Sequence, residues 1–100
     1  MIIAVLIAAL AQSAAINSQR DNFISCLERA TESAKAQKMT ADALEPHLRA
    51  SCASVEESFK AALIAFDVKN KIARKQAATD AKLQADDFVS SSVGQFKPAQ

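Results

Sequence analysis

The stretch "CLERATESAKAQKMTADALEPHLRASC", from Cys26 to Cys52, contains the only two cysteines of the 100-residue chain. Apolar residues recur on both sides of its centre at spacings of three and four, which is the pattern of one face of an α-helix. In an antiparallel helical hairpin, residues at equal distances from the turn lie side by side. The midpoint of the two cysteines is Met39, so the stretch predicts a hairpin folded about Met39 whose arms meet at the cysteines.

A disulfide is the expected state of these cysteines, because an even cysteine count in a small exported chain usually reflects disulfide bonding. A catalytic thiol would need a base, but His47, the only histidine, lies about 140° around the helix from Cys52. Two cysteines and one histidine do not supply the four ligands of a zinc site, and no C-x-x-C pair is present. We therefore expect a Cys26–Cys52 disulfide that contributes about 3–4 kcal/mol to stability.

The predicted arms are a first helix over residues 18–38 and a second over residues 43–66. Asp42 and Glu45 have the spacing of a capping box, which would place Pro46 in the first turn of the second helix. A thinner, alanine-rich apolar stripe predicts a third helix over residues 70–91, followed by a flexible C-terminal tail over residues 94–100. The predicted fold class is all-α, a small antiparallel three-helix bundle with a disulfide-linked hairpin.

The boundary between the second and third helices has no strong stop signal. One unbroken helix over residues 43–91 would be about 70 Å long, and the first helix could cover only half of it. Either the chain turns back near residues 67–70, or the far half of the long helix pairs with another subunit. We expect the turn, and the sequence leaves a homo-oligomer open.

Residues 1–15, "MIIAVLIAALAQSAA", contain no charged side chain. The apolar run has the length of a signal-peptide core and small residues follow it, although no Lys or Arg precedes it. We expect cleavage after Ala15, with Ser13 as the alternative, a mature helical domain over residues 16–93, and a periplasmic or secreted location. The alternative is that the segment is retained as an inner-membrane anchor, although a spanning helix needs about 20 apolar residues.

Basic residues are concentrated at the start of the predicted third helix. A face that could bind an anionic partner, such as a lipid head group, lipopolysaccharide or an acidic protein, comprises Lys69, Lys71, Arg74, Lys75 and Lys82. The competing interpretation is an ordinary solvated helix face, because four aspartates lie near these residues in the sequence. We do not expect nucleic-acid binding, since the net charge is +1 and no aromatic residues alternate with the basic ones.

The known sequence patterns of catalytic, nucleotide-binding and calcium-binding sites are missing from the chain. Adjacent carboxylates on a helix diverge by about 100°, and the sequence offers no apolar pocket that would raise a carboxyl pKa. We expect no enzymatic activity, no metal site and no cofactor.

The segments "CLERA", residues 26–30, and "RASCASVEESFKAAL", residues 49–63, carry a general resemblance to small exported two-cysteine helical proteins of unknown function from Gram-negative bacteria. The resemblance implies a periplasmic location and carries over no catalytic residue. The leading functional hypothesis is an exported, non-enzymatic helical protein that acts on another protein or on the envelope. The alternatives are a membrane-surface binder that uses the basic face, or an anchored inner-membrane protein. The partner itself is unknown from the sequence.

Overall fold

The computed structural model describes the backbone of residues 2–97 and the side chains of residues 14–97. Over the described backbone all regular secondary structure is helical, with four helices and no strand: α1 (Ile2–Ala36), α2 (Ala41–Ser51), α3 (Ala53–Lys69) and α4 (Arg74–Gln95). The all-α prediction is confirmed. The helix count is not the predicted one, because the second predicted helix is divided in two.

The hairpin of the opening stretch is present and is closed by the Cys26–Cys52 disulfide, with the two Cα atoms 5.9 Å apart. Cys52 is buried and Cys26 is half-buried. The His47 ring contacts the Ala30 carbonyl further toward the turn, and the Phe23 and Phe59 rings lie 5.7 Å apart on the other side of the disulfide. This order of contacts shows that α1 runs antiparallel to α2 and α3.

The segment between α1 and α2 reverses the chain in a Schellman motif, in which two backbone N–H groups cap the end of α1. Met39 N–H donates to the Ala34 carbonyl and Lys38 N–H to the Lys35 carbonyl, each at 3.0 Å. Lys38 takes the left-handed conformation, with φ of 57°, at the position that glycine usually fills. Met39 then packs against the core, which fixes the direction in which α2 begins.

The predicted number of helices, three, is wrong, because the second predicted helix bends at Cys52 and is divided into α2 and α3. The backbone of Cys52 has φ of −114° and ψ of 17°, away from helical values. Hydrogen bonds of helical spacing nevertheless join Leu48 to Cys52 and Cys52 to Glu56. The apolar stripe continues through the bend, and periodicity alone therefore could not locate it. The bend coincides with the residue that is bonded to α1.

The predicted capping box is also wrong. The helix α2 begins at Ala41, and its N-cap is Thr40, without a side-chain capping hydrogen bond. Asp42 therefore lies inside the first turn, where its charge is still favourable next to the helix N-terminus. Pro46 lies inside the helix rather than in its first turn, so the hydrogen bond that residue 46 would donate to the Asp42 carbonyl is missing.

The chain turns back between Lys69 and Arg74, which excludes the alternative of one helix over residues 43–91. A second Schellman motif ends α3: Ile72 N–H donates to the Asp67 carbonyl at 2.9 Å and Lys71 N–H to the Val68 carbonyl at 3.0 Å. Lys71 has φ of 69° and occupies the same position as Lys38 in the first motif. α4 therefore begins four residues later than the predicted third helix and runs antiparallel to α3.

The core is organised around three phenylalanines, one from each long helix. The Phe88 ring is 6.1 Å from the Phe23 ring and 5.8 Å from the Phe59 ring, in edge-to-face geometry. From α4 the remaining core contacts come from small side chains four residues apart, which allow close helix packing: Ala77, Ala81, Ala85 and Val89. Phe96, beyond the end of α4, is 9% exposed and belongs to the same core.

The N-terminal segment predicted as a signal peptide forms the first part of α1, which is helical without interruption through residue 15. The side chains of residues 1–13 lie outside the described part of the chain, as do residues 98–100 of the predicted tail. Gly94 lies inside α4, which extends to Gln95 and so passes the predicted end of the third helix at residue 91. Within the described residues, no helix is long and apolar enough to cross a membrane.

Candidate anion-binding surface

Four of the five basic residues singled out from the sequence lie together at the turn between α3 and α4. We call Lys69–Lys75 the basic turn; its charged members are Lys69, Lys71, Arg74 and Lys75. All four are exposed, because Lys69 ends α3, Arg74 and Lys75 begin α4, and Lys71 occupies the left-handed position between the helices. The Schellman motif thus concentrates four positive charges within one short loop.

Ile72 lies at the centre of the basic turn and is 37% exposed, one of two large apolar side chains that are exposed in the described region. Met39 has the equivalent position in the turn between α1 and α2, where it packs against the core. The two turns therefore have the same backbone conformation, but the apolar side chain packs against the core in the first and is exposed in the second. The basic turn presents an apolar side chain to solvent between four cations.

Lys82 is placed differently from the other four. Its ammonium group lies 2.8 Å from Asp86 Oδ2, one turn further along α4. The hydrogen bonds from Lys82 and from Arg49 lower the pKa of Asp86. Lys82 therefore belongs to a charge-balanced cluster on the side of the bundle and not to the basic turn.

The basic turn differs in its charge balance from the rest of the chain. Among the described side chains, no ion pair involves Lys69, Lys71, Arg74 or Lys75. The other 8 basic and the 11 acidic residues of the chain sum to −3. The basic turn therefore carries +4, while the rest of the chain carries a net negative charge. We call this end of the bundle, where α1 also begins, the basic end.

Arg49 is the centre of an ion-pair cluster that the sequence did not reveal. Its guanidinium group lies 3.0 Å from Glu56 Oε1 on α3 and 2.8 Å from Asp86 Oδ1 on α4. Partial burial opposes the charge of Arg49, but the hydrogen bonds to Asp86 and Glu56 outweigh it and raise the Arg49 pKa. Glu45, one turn earlier on α2, also lies within ion-pair distance of Arg49, at 3.9 Å. This cluster joins three helices across the bend at Cys52.

His47, the only histidine of the chain, is half-buried. Its Nε2 lies 3.1 Å from the Ala30 carbonyl oxygen. Because a carbonyl oxygen only accepts hydrogen bonds, this contact is one in which the Nε2–H group donates to the Ala30 carbonyl of α1. The ring thus holds α2 against α1.

Three open cavities lie along α4 on the described surface, and two of them also border α1. Their volumes are about 340, 360 and 190 Å³. Several side chains each line two of these cavities, including Phe88, Ser91, Glu28 and Gln95. Over the described side chains, no group of three or more His, Cys, Asp or Glu is arranged to hold a metal ion.

Comparisons with known protein families, with curated proteins and with solved structures found no match to this chain.

Proposed function

We propose that the protein is an exported, non-enzymatic helical protein that binds the anionic surface of a membrane through the basic turn. The observation that carries this proposal is the grouping of four exposed cations around the exposed side chain of Ile72 at one end of the bundle. Ammonium and guanidinium groups bind lipid phosphates and anionic head groups, while an apolar side chain between them can enter the interfacial region.

The expected binding is reversible and salt-dependent. Each Lys or Arg near an anionic surface contributes about 1 kcal/mol, so four give about 4 kcal/mol, equivalent to roughly a thousandfold in affinity. Because the Debye length shortens from about 10 Å at 0.1 M salt to about 3 Å at 1 M, high salt should release the protein. A bundle held by an inserted transmembrane helix would not be released.

Export is the second part of the proposal. Disulfides persist in oxidising compartments such as the periplasm, and the Cys26–Cys52 bond fits such a location. Residues 1–15 have the features of a cleavable signal peptide. N-terminal sequencing of protein isolated from the periplasm should therefore begin at Ile16, or at Ala14 for the alternative site. A chain that begins at Met1 and remains in the membrane fraction would support the anchor instead.

A vesicle-binding titration with two charge-matched variants tests the membrane-surface proposal. The first variant replaces the four cations of the basic turn: Lys69→Gln, Lys71→Gln, Arg74→Gln and Lys75→Gln. The control removes four positive charges from the other half of the molecule: Arg29→Gln, Lys35→Gln, Lys38→Gln and Lys97→Gln. Both variants change the net charge from +1 to −3, so a difference in binding between them reports where the charges are lost.

The full-length, oxidised protein is titrated with vesicles of neutral lipid and with vesicles containing anionic lipid. We expect the wild type and the control to bind the anionic vesicles with affinities within about threefold of each other. The basic-turn variant should lose roughly a hundredfold or more. Equal losses in the two variants would mean that net charge, and not the basic turn, determines binding. Failure of the wild type to bind anionic vesicles at low salt would overturn the proposal.

A further inference from the structure

The three cavities along α4 form one continuous groove, because neighbouring cavities share side chains. The cavities of about 340 and 190 Å³ share Phe88 and Ser91, and those of about 190 and 360 Å³ share Glu28 and Gln95. On α4 the groove extends from Gln84 to Gln95, or roughly 17 Å at the rise of an α-helix. We call this surface the α1–α4 groove.

The floor of the α1–α4 groove is apolar in its middle part, which is lined by Ile24, Leu27 and Phe88. Leu27 is buried, whereas Ile24 and Phe88 are half-buried and can be reached from the groove. Edge-to-face contacts with Phe23 and Phe59 hold the Phe88 ring in place. An apolar side chain of suitable size would therefore find a preformed apolar surface here.

Carboxylates lie on both rims of the groove. Glu28 and Glu32 line it from α1, and Asp87 lines it from α4. Asp21 and Asp80 lie seven residues before Glu28 and Asp87, a spacing that places them on the same helix faces. The acidic side chains thus continue along both rims beyond the apolar floor.

Most of these carboxylates have no cation beside them. Among the described residues that line the groove, Lys35 is the only cation, and it lies 3.4 Å from Glu32. The other four carboxylates of the rims form no ion pair among the described side chains. The five carboxylates and Lys35 sum to −4, which matches the +4 of the basic turn in size and is opposite in sign.

The basic turn is complementary to the groove in polarity as well, because it presents the exposed Ile72 between four cations. The turn cannot reach the groove of its own chain. Lys75 and Phe88 lie 13 residues apart on the same helix, which holds them roughly 20 Å apart. A contact between the two surfaces therefore requires two copies of the chain.

We propose that the basic turn of one copy docks into the α1–α4 groove of a second copy. Ile72 contacts the apolar floor, and the cations of the turn face the carboxylates of the rims. Because the two surfaces differ, the contact is heterologous: each copy in a pair leaves one turn or one groove free, and further copies can add in a row. One turn in a groove of this length buries less area than a standard interface, so the association is weak and reversible.

Two single substitutions each remove one side of the contact. Ile72→Asp replaces the apolar side chain of the basic turn, and Ser91→Arg places a bulky cation in the groove. Leu83→Asp is the matched control for the first, since Leu83 is the other exposed large apolar side chain of the described region, at 56% exposure, and is not among the described residues that line the groove. Ser90→Arg is the control for the second, because Ser90 is exposed and points about 100° away from Ser91.

Sedimentation of the full-length, oxidised chain measures the association from about 10 μM to about 1 mM. The average mass of the wild type and of both controls should rise with concentration. Ile72→Asp and Ser91→Arg should each associate at least tenfold more weakly. A wild type that stays monomeric over this range would overturn the inference, and so would undiminished association of either variant.

A mixture of the two variants tests the heterologous geometry. Ser91→Arg retains an intact basic turn and Ile72→Asp retains an intact groove, so an equimolar mixture should form a pair of one copy of each and no larger species. A mixture that stays monomeric would contradict the docking of a turn in a groove. It would also contradict the proposal if the mixture formed the same larger species as the wild type.

The inference does not depend on the proposed membrane-surface function, although both use the basic turn. Ser91→Arg leaves the turn intact and should bind anionic vesicles within about twofold of its control Ser90→Arg, while Ile72→Asp should bind them more weakly than Leu83→Asp. If no variant or wild type binds vesicles but the mixture still forms pairs, the membrane proposal fails and the docking of two copies stands.

Discussion

At the scale of single residues, two lysines in the left-handed conformation shape both turns of the protein. Lys38 and Lys71 occupy corresponding positions of two Schellman motifs, with φ of 57° and 69°. Glycine is the usual residue there and is the strongest sequence signal of a helix end. With a single glycine in the chain, the sequence predicted both turns only from capping, polar and periodicity cues. This explains why the predicted helix boundaries at the two turns differ from the observed ones by up to four residues.

Replacing Lys38 with glycine should stabilise the protein. A side chain in the left-handed region costs about 1 kcal/mol or more relative to glycine, and this strain outweighs the greater freedom that glycine gives the unfolded chain. We expect Lys38→Gly to raise the free energy of unfolding by roughly 0.5–1 kcal/mol in urea denaturation, with binding to anionic vesicles unchanged. A decrease in stability would show that the Lys38 side chain makes a favourable contact that exceeds the backbone strain.

Lys71→Gly provides the matched comparison for function. It should give a similar gain in stability, because its backbone conformation is nearly the same. It should also weaken binding to anionic vesicles by about fivefold, since one cation near the surface is worth about 1 kcal/mol. If Lys71→Gly leaves vesicle binding unchanged, Lys71 has no part in the proposed surface.

At the scale of elements, the bend between α2 and α3 is held on two sides. The disulfide bonds Cys52 to α1, and Arg49 connects α2 with Glu56 of α3 and Asp86 of α4. Apolar periodicity predicted the helical segments because it records which face is buried. It could not predict the bend or the Arg49 contacts, because a buried stripe runs through both a straight and a bent helix, and the Arg49–Asp86 pair spans 37 residues.

A double-mutant cycle measures the link between α2 and α4. Urea denaturation of the wild type is compared with that of Arg49→Met, Asp86→Asn and the double variant. Because both side chains are about one-third exposed, solvent screens the pair, and we expect a coupling free energy of about 0.5–1 kcal/mol. The same cycle with Glu32 and Lys35, an exposed i,i+3 pair, serves as a control and should show less coupling.

The pH dependence of stability follows from the same cluster. The folded protein lowers the pKa of Asp86 through its hydrogen bonds with Lys82 and Arg49. Asp86 therefore stabilises the fold above the pKa of an unfolded aspartate, near 4, and this contribution is lost as the pH falls through the lower folded pKa. The stability difference between wild type and Asp86→Asn should therefore be larger at pH 6 than at pH 2.5. A constant difference would contradict a charge-dependent role.

At the scale of the whole molecule, the disulfide and the two turns produce a bundle with chemically different ends. The disulfide pairing was predictable because spacing, turn position and apolar stripe all indicated the same hairpin. The grouping of the four cations was also visible in the sequence as a run. Their separation from Lys82 was not, because it depends on Asp86 lying one turn beyond Lys82 and next to Arg49.

Loss of the disulfide should cost a large part of the stability of this small domain. It joins residues 26 apart, for which the chain-entropy model gives about 3–4 kcal/mol. We expect Cys26→Ser with Cys52→Ala to lower the free energy of unfolding by about this amount in urea denaturation. Reduction of the wild type should give a similar loss, and a change below about 1 kcal/mol would contradict the role assigned to the bond.

The most direct test of the central claim is hydrogen exchange along the full-length, oxidised chain, with and without vesicles containing anionic lipid. Binding through the basic turn should slow amide exchange at residues 70–75, while residues 37–40, in the turn of matching conformation at the opposite end, should exchange at an unchanged rate. Neutral vesicles should leave the exchange of both turns unchanged. Protection at residues 37–40 equal to that at residues 70–75, or protection at neither turn, would contradict the account.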